Sequence, residues 1–325
     1  MITDKKILII GGTGSLGNSL TDRYISNNKI LIYSRSENNQ WSMKQKYNND
    51  NLSFFIGDIR DKERLETSLF KFKPNIIIIA AALKHIDICE NNINECINTN
   101  IDGIRNIINI ITTHSMINNL DFLESVVFIS TDKACAPVNT YGLCKSVSER
   151  IVIEKTKFLT RPKFVNVRYG NVLSSRGSLI PFYKSLVNDV NNEYILLTDI
   201  NMTRFFMSLE DSVSLIEYAI LNGSSGDTII PEHITSYKIA DIANYFASKF
   251  NKQLRITGIR PGEKMYETLI SHTESLRTIE VDDFYIIKPT YFEQIKNPVI
   301  FRANEFNSLV TKSELDEQML KEINS

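Results

Sequence analysis

What this sequence lacks narrows its reading before any motif is found. Its four cysteines, Cys89, Cys96, Cys135 and Cys144, include no CxxC pair and no zinc-ligand spacing. Neither a disulfide framework nor a structural zinc site is therefore expected, and the thiols read as free, in a reducing compartment. The four histidines, His85, His114, His233 and His272, are scattered without an HExxH-like pair, so no metal is expected. There is no excess of charge: 37 basic against 38 acidic residues give a net charge of −1. That balance offers no footprint for nucleic acid or for a membrane surface. No apolar run approaches the roughly 20 residues of a spanning helix. The opening "MITDKKILII" has no signal-peptide cleavage region. A soluble, cytoplasmic protein with neither a nucleic acid nor a membrane as partner is the expectation.

What is present is an ordinary globular composition of 325 residues, 42% hydrophobic and 23% charged. That is enough chain for one large or two modest domains. Short, almost wholly apolar runs recur: "KILII", "KILIYSR", "LSFFIGDIRD", "NIIIIAAAL", "SVVFISTDK" and "KFVNVRYGNVL". They alternate with helical stretches such as "KERLETSLFKF", "CINTNIDGIRNIINIITTHS" and "YGLCKSVSERIVIEKTKFL". Apolar strands alternating with helices predict a parallel sheet buried on both faces. The fold class read from this is α/β, a Rossmann-type doubly wound sheet over residues 1–170. Residues 171–325 read as a smaller C-terminal α/β substrate-binding lobe, with some segments returning to the sheet. There, "RGSLIPFYKSLVND" and "SLEDSVSLIEYAIL" read as helical, and "SYKIADIANYFASKF" puts Ile239, Ile242, Ala243 and Phe246 on one face.

The loop after the first run carries Gly12, Gly14 and Gly17 in a GxGxxG pattern, and Gly11, Gly14 and Gly17 in GxxGxxG. Alone this is weak. Between a buried strand and a helix it predicts a dinucleotide site, with backbone N–H groups and the positive helix end facing a pyrophosphate. The second strand ends in "YSRS", where an NAD-binding site would carry Asp or Glu. Ser34 and Arg35 instead suit a 2′-phosphate, so NADP is the predicted cofactor. Asp58, in "GDIRD", is placed to reach the adenine.

Tyr141 and Lys145 fall one turn apart on a predicted helix and can face one site. A phenol near pKa 10 is a poor base, and an adjacent ammonium stabilises its phenolate. Asp132 and Lys133 lie just upstream; taken alone they read as a capping turn with a solvated lysine.

The segments "AALKHID", "TNIDG", "STDKA", "YGLCK", "VRYGNVLSSRGSLIPFY", "MTRFFMSLED" and "IRPGEKMYETL" occur in order over nearly the whole chain. Together they resemble the extended short-chain dehydrogenases/reductases, and within them the inverting UDP-N-acetylglucosamine 4,6-dehydratases, which are also 5-epimerases. One departure is Ile10, where relatives usually carry Thr. The resemblance implies that Tyr141, with Lys145, takes the proton of the sugar hydroxyl at carbon 4 while hydride passes to tightly bound NADP⁺. Lys133, at a position held by Glu in retaining dehydratases, would remove the proton at carbon 5. It can do so only if burial or a neighbouring positive charge, from Lys145 or the oxidised nicotinamide, pulls its pKa down. Asp132 would protonate the departing hydroxyl at carbon 6, and Thr131 would bond the substrate's O4. Hydride would then return to carbon 6 and a proton to carbon 5 from the opposite face.

Further positions follow from the same resemblance. The cofactor envelope would comprise Gly11, Thr13, Gly14, Ser15, Leu16, Gly17, Ser34, Arg35, Asp58, Ile59, Ala80, Ala81, Lys84, Tyr141, Lys145 and Val172. Lys84, Asn171, Arg176, Thr198, Arg204, Arg260 and Glu263 would hold the UDP-sugar, the cations on its phosphates and Glu263 on the uridine ribose. A homo-oligomer, dimer or hexamer, is implied as well. Three other readings stay open: a retaining nucleotide-sugar 4,6-dehydratase; a 4-epimerase or keto-sugar reductase, which needs Tyr141 and Lys145 but not Asp132 and Lys133; and a non-catalytic NADP-binding regulator.

Overall fold

The computed structural model describes residues 1–292, 295, 298, 299, 311, 312 and 314–324. A nine-stranded sheet forms its centre. Six parallel strands come from the first half of the chain: β1 (Lys6–Ile10), β2 (Lys29–Ser34), β3 (Leu52–Ile56), β4 (Ile76–Ile79), β5 (Ser125–Ile129) and β6 (Lys163–Val167). Three more return from later sequence: β10 (Thr228–Pro231), parallel to β6, and the antiparallel β13 (Thr278–Val281) and β14 (Phe284–Ile287). The order is β13-β14-β10-β6-β5-β4-β1-β2-β3. The chain reverses direction across the sheet between β1 and β4, and it is beyond the carboxyl ends of such strands that ligands bind.

The apolar runs are continuous because both faces are covered. On β1, Ile7 and Ile9 enter one core cluster with Leu20, Tyr24 and Ile216, while Leu8 and Ile10 enter the other with Leu65, Ile107 and Ile108. Ile10, the departure from the family pattern, is thus a wholly buried core residue.

Two stretches depart from the predicted elements. "KFVNVRYGNVL" is not one strand: β6 ends at Val167, and Asn171–Val172 form β7, which pairs with β9 (Thr203–Met207) in a second sheet. Gly170 permits that crossing, since a Cβ there would stand 2.4 Å from Phe205 Cβ. The stretch from Cys96 to Ser115 is not one regular helix either. α5 (Ile93–Ile97) and α6 (Gly103–Met116) are joined by a wide π turn, Asn98–Asp102, in which the Asn100 amide clamps both the N–H and the carbonyl of Leu83 at 2.8 Å.

The smaller lobe has its own core. The second sheet runs in the order β15 (Thr311–Lys312), β11 (Thr235–Lys238), β9, β7. α8 (Leu179–Asn188) and α10 (Ile239–Lys249) pack Ile180, Tyr183, Ile242 and Phe246 together with Met319 and Ile323 of the last helix, Glu317–Asn324. Ile239, Ile242, Ala243 and Phe246 share the buried face of α10 as their spacing predicts, while Ser236–Lys238 ahead of them belong to β11. Among the described residues no helix is long and apolar enough to cross a membrane.

Candidate active site

A cleft of about 1320 Å³ opens where the carboxyl ends of the parallel strands meet the smaller lobe. Of the site residues predicted from sequence, all but Asp132 line it.

At one end lies the glycine turn between β1 and α1 (Ser15–Tyr24). Gly11 has φ +85°, and a Cβ there would stand 2.5 Å from the Ala81 amide nitrogen, so β1 and the turn after β4 meet backbone to backbone. A Cβ on Gly17 would fall 2.0 Å from Gly12 O, whereas one on Gly14 would meet only Gly11 O, at 3.8 Å. Gly14 thus faces open space at a helix N-terminus, and this cradle fits a pyrophosphate. Arg176 closes over the turn from the smaller lobe. Its N–H donates to Ser15 Oγ at 3.0 Å, and its carbonyl accepts from Lys84 Nζ at 2.8 Å.

At the end of β2, Ser34 is buried and its hydroxyl accepts from Gln40 Nε2 at 3.0 Å. Arg35, its side chain 55% exposed, reaches Asp58 at 3.5 Å. Burial alone would raise the Asp58 carboxyl, but Arg60 and Arg35 hold it below the usual carboxylate range.

The middle of the cleft is built by the turn after β5 and by α7 (Thr140–Glu154). Asn139 caps α7 by accepting from Gly142 N–H at 2.7 Å, and its Nδ2 donates to Gly262 O at 2.7 Å, tying the helix to the Arg260–Lys264 loop. Gly142 lies so close to the preceding turn that a Cβ there would be 2.3 Å from Lys133 O. Tyr141 is buried; burial and the Asp132 charge push its phenol up, with the Thr131 hydroxyl acting against them. Lys145 donates to Ile129 O at 2.6 Å and lies 4.4 Å from the centre of the Phe128 ring; burial draws its pKa down to about 8.

Thr131 Oγ1 donates to Asp132 Oδ1 at 2.8 Å, and Lys133 Nζ donates to the same oxygen at 3.0 Å and to Asn171 Oδ1 at 3.4 Å. Asp132 is wholly buried, and its Oδ2 has no hydrogen-bond partner among the described residues. It therefore meets the cleft through Thr131 and Lys133. Burial raises the Asp132 carboxyl.

Lys133 departs from expectation in two ways. Its side chain is only 12% exposed, so it is not a solvated lysine beside a cap, although Thr131 does cap the turn. Nor is its pKa depressed. Burial lowers it, but Asp132 and Glu267 outweigh burial and hold it above the ordinary lysine value. The cation that opposes them is Arg204, where Lys145 was expected.

Arg204 is itself buried, donating to Thr203 O at 2.8 Å and Met265 O at 3.3 Å. Arg260 and Glu263, expected on different parts of a substrate, pair with each other at 2.5 Å. Burial alone would raise Glu263, and Arg260 keeps it below its usual value.

Reading by motif did not single out Glu267 or Lys264, though both stand in "RPGEKMYETL". Glu267 is 3.6 Å from Lys133 and 3.2 Å from Lys264. The available signal was one acid within the apolar run after the loop. Also unforeseen was buried Arg168, which joins Glu149 of α7 (2.7 Å) to Glu274 (2.9 Å). The four cysteines are free and buried; Cys89, Cys96 and Cys144 cluster against Tyr141.

A protein of Campylobacter jejuni named UDP-N-acetylglucosamine 4,6-dehydratase (inverting) is 40% identical over 295 residues, 89% of this chain and 84% of that protein. A Rickettsia bellii protein named UDP-glucose 4-epimerase is 36% identical over 297 residues, 88% of this chain and 84% of that one. Among solved structures, Pen from Bacillus thuringiensis is 29% identical with a TM-score of 0.84, covering 98% of this chain and 96% of its own. A dTDP-glucose 4,6-dehydratase of Streptomyces venezuelae and a UDP-glucose 4-epimerase of Thermus thermophilus, only 17% and 18% identical, share the fold. With residues 7–289 matching the family described as "Polysaccharide biosynthesis protein", this chain belongs to that family, among the nucleotide-sugar dehydratases and epimerases.

Proposed function

We propose that this protein is an inverting UDP-N-acetylglucosamine 4,6-dehydratase that holds NADP. The observation that carries the reading is one cleft lined by Tyr141 and Lys145 and also by Lys133, whose ammonium is bonded to the buried Asp132 behind it, which offers two stations for proton transfer. A plain 4-epimerase has no use for the second. When bound, the nicotinamide supplies the hydride acceptor for carbon 4 and the donor for carbon 6.

This chain's own residues do the rest. Tyr141 removes the hydroxyl proton at carbon 4, and Thr131 orients that oxygen. The ketone so formed acidifies carbon 5, from which Lys133 takes a proton. Asp132 gives a proton to the hydroxyl leaving carbon 6, the Thr131 hydroxyl, which donates to its Oδ1 at 2.8 Å, turning to accept that proton as it passes its own on. Reprotonation of carbon 5 from the opposite face gives the L-sugar, UDP-2-acetamido-2,6-dideoxy-β-L-arabino-hex-4-ulose. Arg260, Arg176 and Lys84 would face the diphosphate, and Glu263 the uridine ribose, once the Arg260–Glu263 pair opens. NADP in preference to NAD is supported by Arg35 at the ribose end of the cleft, where Asp58 is its ion-pair partner.

The 36% identity to proteins named UDP-glucose 4-epimerase favours a second reading, in which only carbon 4 is inverted. Turnover of UDP-N-acetylglucosamine in heavy water separates the two. Dehydration with inversion yields a 4-keto-6-deoxy sugar of L configuration with deuterium at carbon 5. A product that keeps its carbon 6 hydroxyl and carries no deuterium at carbon 5 sinks the proposal in favour of the epimerase.

A further inference from the structure

Glu267 has no place in the scheme above, yet it faces the lysine on which that scheme turns. Its side chain is 1% exposed, and its carboxylate oxygens stand 3.6 Å from Lys133 Nζ and 3.2 Å from Lys264 Nζ. A buried carboxylate is costly unless charge and hydrogen bonds compensate it. Here much of the compensation comes from the candidate base itself, joined by Lys264 and Arg204.

We propose that Glu267 is a positioning residue that fixes Lys133 against Asp132 and keeps one proton inside that pair. The inference rests on reading Lys133 as base and Asp132 as acid. For that chemistry Lys133 has to be neutral and Asp132 protonated. One proton moved from Lys133 Nζ to Asp132 Oδ1, 3.0 Å apart, produces both forms together. An N–H bond breaks, an O–H bond forms, and the net charge of the cluster stays the same.

The surroundings decide whether that proton stays. Lys133 faces Asp132 and Thr131 on its own turn, Asn171 of β7, Arg204 of β9 and Glu267. Asp132 faces Thr131, Lys133, Glu267 and, from α7, Tyr141. Glu267 faces Lys133, Lys264 and Arg204. The cations Arg204 and Lys264 favour release of the proton to solvent. The Glu267 anion favours its retention on either member, because a nearby negative charge raises the proton affinity of both.

The test is the pH profile of kcat for the full chain with NADP and UDP-N-acetylglucosamine, in wild type, Glu267→Gln, Glu267→Asp and Lys264→Gln. The active pair holds one proton, so activity falls when a second is added at low pH or the one is lost at high pH. Glu267→Gln is expected to move both limbs to lower pH by about one unit, a tenfold change in each proton equilibrium, with KM within about threefold of wild type. Glu267→Asp keeps the charge and restores the limb positions, while Lys264→Gln, removing a cation, moves them to higher pH. Circular dichroism and bound cofactor report the fold. A Glu267→Gln profile lowered in height with its limbs unmoved, the result of a merely structural role, overturns the inference. If that variant does not accumulate, Lys264→Gln decides, and an unmoved or downward-shifted profile overturns it. Wild-type protein that forms no 4-keto-6-deoxy sugar overturns both this inference and the function it rests on. Wild-type protein that forms the sugar beside a Glu267→Gln variant with unmoved limbs overturns this inference alone.

Discussion

Lys133 and Asp132, neighbours in the chain, also meet side chain to side chain: the ammonium stands 3.0 Å from a carboxylate oxygen that Thr131 shares. Lys133→Ala should leave oxidation at carbon 4 intact and stop elimination. Loss of one general base costs on the order of 10²–10⁴ in rate. In a single turnover, absorbance of the reduced nicotinamide should appear and persist, with no deuterium at carbon 5. Turnover close to wild type would remove Lys133 from the mechanism.

The glycine turn separates folding from binding. Gly14→Ala introduces a methyl group whose nearest neighbour is Gly11 O at 3.8 Å, so the variant should fold with wild-type stability yet lose affinity for the dinucleotide. Gly17→Ala drives Cβ to 2.0 Å from Gly12 O and should destabilise the turn itself. Thermal denaturation of both variants, with and without NADP, reads out the difference. Equal NADP stabilisation of Gly14→Ala and wild type would mean that the cradle holds no pyrophosphate.

Arg35 is the charge expected to prefer NADP. A hydrogen bond to a charged group contributes about 1.5–3 kcal/mol, so Arg35→Ala should lose at least tenfold in NADP affinity with NAD affinity little changed. Titration calorimetry with both dinucleotides checks this, and parallel losses for the two would count against a 2′-phosphate contact. Asp58 would retain Arg60, 2.8 Å away, as its partner.

Arg168 ties α7 to later sequence through Glu149 and Glu274. Removing one partner of a buried pair typically costs about 3–5 kcal/mol, and Arg168→Met, which strands two carboxylates, should do so in urea unfolding. The pH dependence has a definite sign. Burial alone would raise Glu274, but Arg168 and the Ser271 cap bring it down to about 2, below its unfolded value. Its contribution is therefore complete above the unfolded carboxylate pKa of about 4.3 and is lost as pH falls towards 2. Glu274→Gln should flatten stability over that window.

The parallel sheet was legible because strands covered on both faces leave an unbroken apolar signature, as β1 and β4 do. The places of the glycine turn and of Tyr141 and Lys145 in one cleft were legible because they follow from spacing along the chain. What the sequence hid was pairing across it. Glu267 reaches Lys133 from 134 positions away, and neither a helix nor a strand period relates the two. Asp132, next in the chain, supplies the larger upward push on Lys133, but the Glu267 that adds to it and the Arg204 that opposes it are both remote in sequence. The break at Gly170, which turns one predicted strand into two, follows from Phe205 packing against it, another contact remote in sequence.

The contact between Gly142 and the carbonyl of Lys133 has a wider meaning. In the proposed mechanism, the separation of the oxidation station from the elimination station is set where the Lys133 carbonyl rests on the main chain of Gly142. Exchanging the groups at 132 and 133 therefore leaves the frame where it is. Such a chassis would let the proposed acid and base be re-equipped one residue at a time, without re-aligning the two halves of the proposed reaction.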